Sequence, residues 1–214
     1  MLAIFAALAA FAGCYYLLIR LFLAATKGSH LTIPQMIGKM DEPYRSVCRR
    51  LYADHADRFR HARGSSHNHQ AWEGGYLDHI EEVMNYAILF YLAEKSTGRP
   101  MPFTLAEALC VLFLHDLEKP WRFEPGENGE WVENASMKTK PQKAAFRLDM
   151  LARYGIALTP TMDNAMKYVE GEHEDYSNAR RVSSELAAFC HLCDSWSARG
   201  RHDYPKKGDP WSGR

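Results

Sequence analysis

The segment TLAEALCVLFLHD, residues 104–116, constrains the fold more than any other part of the chain. Thr104 and Glu107 form the capping pattern of a helix N-terminus, and the residues that follow are apolar nearly all round. A helix without a polar face is stable in water only when other elements surround it. The pattern therefore predicts a domain built around one central buried helix, ending near Lys119 and Pro120.

Apolar residues at helical spacing recur along most of the remaining chain, and this periodicity predicts an all-α fold. The predicted helices lie within residues 41–61, 76–95, 140–154, 160–170 and 182–199. A β-hairpin is the predicted exception, in WRFEPGENGEWVE at residues 121–133, where Gly and Asn residues mark the turn. Residues 28–34 are predicted to form a linker.

An uncharged apolar run, LAIFAALAAFAGCYYLLI, occupies residues 2–19, and apolar character resumes after Arg20. As a helix, residues 2–25 would span roughly 36 Å, enough to cross a hydrocarbon layer of about 30 Å. A signal peptide should have basic residues before its apolar core and a small-residue cleavage site after it, and we find neither. A soluble or interfacial helix is the other alternative. We predict a transmembrane anchor over residues 1–27.

The positions of the basic residues and the number of cysteines indicate the cellular compartment of the main domain. Basic residues follow the apolar run rather than precede it, which predicts a cytoplasmic domain. The five cysteines are odd in number and show no disulfide spacing, which agrees with a reducing compartment. We expect a transmembrane anchor at 1–27, a linker and lead-in helix at 28–62, the main domain at 63–200, and a flexible tail at 201–214.

His115 and Asp116 follow the wholly apolar residues VLFL, so they arrive at the end of a buried helix. Burying an imidazole and a carboxylate without partners costs several kcal/mol. A divalent cation satisfies both groups, whereas a local His–Asp hydrogen bond or a cap is the structural alternative. His79 and Asp194 also lie in apolar helical segments, and the order H…HD…D on separate helices predicts a metal site.

The segments GGYLDHIEEV, LFLHDLEKPW and FCHLCDSW resemble the motifs of the HD-domain superfamily of metal-dependent phosphohydrolases. The resemblance covers roughly residues 60–200. It implies a bundle of five or more helices, with His79, His115, Asp116 and Asp194 as metal ligands. One position departs from the family: Glu118 in HDLEK stands where members often carry glycine. This glutamate either alters substrate preference or points to solvent.

Further histidines match positions that some members of the superfamily use. His67 and His69 precede the Gly-Gly turn, where many relatives carry a histidine pair, and His173 resembles an additional histidine found between HD and the last aspartate. The resemblance implies that these residues bind a second metal, contact a phosphate or donate a proton. A polar loop histidine without a function is the alternative.

The resemblance implies hydrolysis of a phosphoester of a nucleotide or nucleic-acid end, with Mn, Mg, Ni, Co, Zn or Fe as the metal. A bound divalent metal would lower the pKa of water, and Asp116 would orient or deprotonate that water. Lys119 and Arg122 would offset the charge of the phosphate. The zero net charge, from 26 basic and 26 acidic residues, gives no general attraction to nucleic acid but does not exclude it.

Two other functions remain open at this point. Some HD-domain proteins hold two irons and use dioxygen to oxidise small polar substrates, and His67, His69 and His173 could supply the extra ligands. Others have lost their ligands and only bind, which would make this chain a non-catalytic membrane-anchored module. The presence of the core ligands in this sequence disfavours the binding module.

Overall fold

The computed structural model describes residues 16, 30–65, 69–125, 128 and 131–200. The described chain is mostly helical, with one small two-stranded sheet, which is consistent with the predicted all-α class. The α-helices are α1 Ile33–Ile37, α2 Tyr44–His61, α3 Gly75–Ser96, α4 Leu105–Leu114, α5 Lys119–Arg122, α6 Lys140–Tyr154, α7 Pro160–Tyr168 and α8 Glu185–Ser195. Short 3₁₀ turns occur at Ala135–Met137 and His173–Asp175, and a π-helical turn, Trp196–Gly200, continues α8.

Helix α4 is the centre of the bundle, as its apolar sequence predicts. Thr104 and Glu107 form the expected capping box: the Glu107 amide donates to Thr104 Oγ1 at 3.1 Å, and the Thr104 amide donates to Glu107 Oε2 at 2.8 Å. Every residue from Ala108 to Leu114 is buried. Helices α3, α7 and α8 pack around α4 and exclude water from it. The helix ends at Leu114 rather than near Lys119, because residues 115–118 form a turn.

The predicted linker is wrong at its carboxyl end, because helix α1 begins at Ile33. Asn85 of α3 holds the preceding backbone by accepting from the Leu31 amide at 2.9 Å and donating to the Leu31 carbonyl at 2.8 Å. Ile33 and Met36 are then fully buried in the same core as α4. The compact unit accordingly begins at Leu31 and includes α1 and α2, whereas the sequence placed its start at residue 63.

The predicted β-hairpin is confirmed as a small insertion in the bundle. Strands β1 Phe123–Pro125 and β2 Trp131–Glu133 pair antiparallel, with Phe123 opposite Glu133. The strands are shorter than predicted, because residues 121 and 122 belong to α5. Arg122 Nε donates to Glu133 Oε1 at 2.9 Å, which joins α5 to the second strand.

The two terminal predictions concern residues that the structure does not describe. The predicted anchor at 1–27, apart from Tyr16, and the predicted tail at 201–214 lie outside the described residues. None of the helices in the described ranges is both long enough and apolar enough to cross a membrane.

Gly74 and Gly75, at the start of α3, are required for different structural reasons. Gly74 adopts a left-handed backbone conformation, with φ of 82°, which glycine reaches at no steric cost. Gly75 lies against the backbone of Gln70, and a Cβ atom there would stand 2.0 Å from the Gln70 carbonyl oxygen. The chain therefore needs glycine at 75 to bring the 69–70 turn onto the start of α3.

We expect Gly75→Ala to lower the free energy of unfolding by about 3 kcal/mol or more, because the clash is with backbone that must move. Gly38→Ala is the matched control, since Gly38 has an ordinary φ of −59° and its added Cβ would meet the Gln35 carbonyl at 3.2 Å. The control should change stability by less than about 1 kcal/mol. Urea denaturation of both variants decides the matter, and equal midpoints would contradict the close approach at Gly75.

Candidate metal centre

Three buried side chains bring potential metal ligands together at the core of the bundle. His79 projects from α3, and His115 and Asp116 follow the end of α4. One donor atom from each lies within 4.8 Å of the others, so the described residues contain a buried group that could hold a metal ion. His79 Nε2 lies 3.4 Å from His115 Nε2 and 3.4 Å from Asp116 Oδ2, and His115 Nε2 lies 3.2 Å from Asp116 Oδ2.

Asp194 of α8 brings a fourth donor to the same place. Its Oδ1 atom lies 3.2 Å from His79 Nε2 and 3.5 Å from His115 Nε2. Its side chain is 16% exposed, whereas that of His79 is fully buried. The site is therefore closed on the side of α3 and reaches solvent on the side of α8.

The spacing of the donor atoms fits a metal ion. Nitrogen and oxygen ligands bind first-row divalent metals at about 2.0–2.2 Å, which places neighbouring donors about 3.0–3.5 Å apart in tetrahedral or octahedral geometry. The five distances between these donors, from 3.2 to 3.5 Å, lie in that range. Imidazole and carboxylate together suit several divalent metals, so the donor set leaves the identity of the ion open.

The hydrogen bonds behind the two imidazoles direct their Nε2 lone pairs into the site. His115 Nδ1 lies 2.7 Å from the Leu112 carbonyl, which can only accept, so Nδ1 carries the proton. His79 Nδ1 lies 3.0 Å from Ser197 Oγ, and that hydroxyl donates its own proton to Glu82 Oε2 at 2.5 Å. Ser197 Oγ therefore accepts from His79 Nδ1. In their neutral forms both rings present an unprotonated Nε2 to the carboxylates.

Sequence reasoning did not identify the groups that orient His79. Ser197, Glu82 and Gln70 are all buried, and Gln70 Nε2 donates to Glu82 Oε2 at 3.1 Å and to Ser197 Oγ at 3.3 Å. One signal was available for Glu82, which stands three residues after His79 on the same helix. Ser197 reaches His79 from the π-helical turn after α8, and the predicted uninterrupted helix over 182–199 is wrong there and at its start.

We expect Ser197→Ala to weaken metal binding about 10- to 100-fold, because His79 Nδ1 loses its acceptor and the ring loses its fixed orientation. Ser96→Ala is the matched control, since Ser96 is exposed at the end of α3 and its hydroxyl donates only to a nearby carbonyl. Competition with a chelator for bound Mn²⁺ measures the difference. An unchanged dissociation constant in Ser197→Ala would contradict the orienting role.

The electrostatics of the site favour a cation. Burial opposes protonation of His115, but Asp116 and Asp194 outweigh burial and raise the pKa of His115 to about 10. Burial also opposes ionisation of the carboxyls, yet Lys119 and His115 hold the pKa of Asp116 well below its usual range. Hydrogen bonds from His115 and His79 likewise lower the pKa of Asp194. The carboxylates stay ionised and attract positive charge, which a divalent metal would supply.

Lys119 and Glu118, in the turn after α4, have different ion-pair partners. Lys119 Nζ lies 2.5 Å from Asp116 Oδ2, and its side chain is 16% exposed. Glu118 is buried rather than pointing to solvent, and Arg147 of α6 donates to its Oε2 at 3.0 Å. Arg147 Nη1 also lies 3.3 Å from the His115 carbonyl. Glu118 thus anchors α6 to the metal centre, and this role replaces the solvent-exposed one considered from sequence.

The predicted histidine pair is seen in part. His67 lies outside the described residues. The His69 ring lies beside the His79 ring, with centroids 5.3 Å apart, and its buried Nε2 has no hydrogen-bond partner among the described residues. Burial and the neighbouring His79 and Lys119 lower the pKa of His69 to about 4. The ring is therefore neutral near pH 7, which favours a ligand or acceptor role over the predicted proton donation.

Two cavities border the centre. One, of about 470 Å³, is lined by His69, Glu170, His191, Asp194, Ser195, Ala198 and Arg199. The other, of about 560 Å³, contains three residues predicted to act on substrate: Lys119, Arg122 and the exposed His173. His191 borders the first cavity, and its Nδ1 donates to the Val169 carbonyl at 2.7 Å.

Comparison with known proteins found no match among family models, curated proteins or solved structures. The function must therefore be inferred from the residues and the geometry of the site.

Proposed function

We propose that the chain is a metal-dependent phosphohydrolase of the HD type, in which His79, His115, Asp116 and Asp194 hold one divalent metal. One observation carries the proposal: two imidazole Nε2 atoms and two carboxylate oxygens converge at 3.2–3.5 Å, and both Nδ1 atoms are committed elsewhere. When both imidazoles are neutral, these four atoms are electron-pair donors that a single divalent cation can satisfy together. The site opens toward solvent, which a purely structural metal would not require.

The bound metal would polarise a phosphoryl oxygen and lower the pKa of water. Asp116 is placed to orient the attacking water, since it reaches the donor cluster and keeps its charge through contact with Lys119. Lys119 offers its ammonium to the developing charge on the phosphate. Arg122 lines the same cavity while its Nε pairs with Glu133, so it can hold a further phosphate oxygen through its terminal nitrogens.

The cavity beside Lys119 supports a phosphoester as the substrate. Its volume of about 560 Å³ falls within the usual range for small-molecule sites, and its wall combines cationic with aliphatic side chains. A nucleotide or the end of a nucleic acid has this combination of phosphate and less polar body. Exposed His173 lines the same cavity, and we propose that it protonates the leaving oxygen.

The test is metal analysis of the purified protein, followed by a phosphoester panel under Mn²⁺, Mg²⁺, Ni²⁺ and Co²⁺. We expect one metal per chain. For at least one nucleotide we also expect metal-dependent release of phosphate or metal-dependent cleavage of one phosphodiester bond. Two irons per chain with dioxygen consumption would replace the proposal with an HD-type di-iron oxygenase. A metal-free protein inert toward every phosphoester would leave a binding module.

A further inference from the structure

The cavity of about 560 Å³ lies between one face of α6 and one face of α7. Its α6 wall consists of residues at helical spacing, and its α7 wall does likewise. The lining residues are Lys140, Pro141, Lys143, Ala144, Arg147, Leu148 and Leu151 from α6, Leu158 from the connection, Asp163, Met166 and Lys167 from α7, and Glu118, Lys119, Arg122, Glu170 and His173.

Most cations of this cavity already have a carboxylate partner. Lys119 contacts Asp116, Arg122 contacts Glu133, Arg147 contacts Glu118, and Lys167 contacts Asp175. Lys140 and Lys143 differ, because neither has an ion-pair partner within 4.0 Å in the described ranges, although Asp163 and Glu170 line the same cavity. Lys140 and Lys143 are therefore cations of this cavity that an incoming anion could bind without displacing a carboxylate partner in the described ranges.

Lys140 and Lys143 also lie in the first turn of α6, where the helix itself carries partial positive charge. Acidic side chains normally stabilise that position, and the first turn of α6 contains none. Thr139 Oγ1 accepts from the Gln142 amide at 3.3 Å, the Lys143 amide donates to the Thr139 carbonyl at 3.1 Å, and Pro141 has no amide proton. The lysine side chains, rather than backbone amides, are therefore the donors that this turn offers. The positive charges of the two lysines and the partial positive charge of the helix N-terminus together favour a bound anion.

The lysine pair lies on the same helix as Arg147. Arg147 is in the middle of α6 and contacts the turn after α4, through Glu118 and the His115 carbonyl. Lys143 precedes Arg147 by one helical turn and Lys140 by two, which corresponds to roughly 6 and 10 Å along the axis.

The same cavity has an aliphatic part. Leu148 is 65% exposed on the wall of the cavity, and Leu158 and Met166 line it from the opposite side. A large exposed leucine beside a cationic pocket is explained if the body of a ligand covers it. The cavity therefore combines cationic groups with an aliphatic surface.

We propose that this cavity selects phosphoesters that carry a second anionic group, held by Lys140 and Lys143 while the reacting phosphate lies at Lys119. This inference rests on the proposed function for the reacting phosphate, but the second anion site can be tested by binding alone. A nucleoside bearing two phosphates is the ligand class that fits. A nucleoside monophosphate would leave the lysine pair without a partner.

The experiment is calorimetric titration of the full-length metal-loaded protein with adenosine 5′-monophosphate and with adenosine 3′,5′-bisphosphate, each checked by chromatography for hydrolysis afterwards. We expect tighter binding of the bisphosphate. The double variant Lys140→Met/Lys143→Met should weaken bisphosphate binding about tenfold and monophosphate binding less than about twofold. Lys138→Met is the matched control, because Lys138 lies two residues before the start of α6 and does not line the cavity. This substitution should change the affinity for neither nucleotide.

If the double variant loses equal affinity for both nucleotides, or loses no affinity for the bisphosphate, the second anion site is overturned. Hydrolysis of p-nitrophenyl phosphate by the unmodified protein separates this failure from that of the proposed function. If that ester is hydrolysed and charge selection is absent, the phosphohydrolase stands and the lysine pair has no such role. If charge selection is present and every phosphoester resists hydrolysis, the anion site stands and the proposed reaction fails.

Discussion

Replacing His115 by alanine is expected to yield a protein that retains no divalent metal and hydrolyses phosphoesters at least about 1000-fold more slowly than the unmodified chain. The same result is expected for Asp116→Ala. Each substitution removes a donor atom that lies within 3.5 Å of its neighbours, and the remaining donors cannot enclose an ion. A loss of 1000-fold corresponds to about 4 kcal/mol of transition-state stabilisation, which a Lewis acid can supply.

Metal content by plasma mass spectrometry and hydrolysis rates of purified variants provide the measurement. His61→Ala is the matched control, because His61 is an exposed histidine that pairs with Glu73 at the surface, away from the donor cluster. Its metal content and rate should equal those of the unmodified protein. Thermal melting identifies a variant that has simply unfolded. A folded His115→Ala protein with full metal occupancy would remove His115 from the ligand set.

Lys119→Met is expected to slow hydrolysis by a factor on the order of 100 while the metal is retained, equivalent to about 2.7 kcal/mol. Methionine keeps much of the aliphatic stem and deletes the charge. A lysine that only neutralises negative charge after the buried helix is the structural alternative. Helix α4 ends at Leu114 and the Lys119 ammonium lies against Asp116, so such a role would act through that carboxylate.

The decisive comparison is the rate at saturating metal, because loss of the Lys119–Asp116 contact also changes the charge near the donors. Lys138→Met again serves as the control, as an exposed lysine outside the cavity. An active Lys119→Met variant with slightly lowered stability would make Lys119 a structural cation. The four proposed ligands would then be unaffected.

The ligand cluster could be anticipated from sequence because burial restricts what a polar residue can do. His115 and Asp116 end an apolar helix, and His79 lies on a second helix with an apolar face, so each needed a partner inside the protein. The structure brings them together. Asp194 was harder to place, because it adjoins the apolar stripe of its helix, and only the packing of α8 brings its Oδ1 to the two imidazoles.

The residues that hold the proposed ligands in position could not be predicted from sequence in the same way. Ser197 lies in a π-helical turn, and the local sequence does not distinguish that turn from a continuing α-helix. Glu118 and Arg147 are 29 positions apart, and their pairing depends on where α6 packs. Such contacts join residues distant in sequence, and neither spacing nor periodicity encodes them.

The sequence by itself determined the all-helical class, the buried α4 with its capping box, the hairpin and the polar residues that could not remain unpaired. These follow from local preferences and hydrophobic periodicity, which act over a few residues. The tertiary structure alone decided that α1 belongs to the core and that both Nε2 atoms face the carboxylates. It also brought Lys140 and Lys143, which have no ion-pair partner in the described ranges, to the cavity that contains Lys119. Those outcomes depend on how α3, α4, α6 and α8 pack, because packing fixes positions that no single segment specifies.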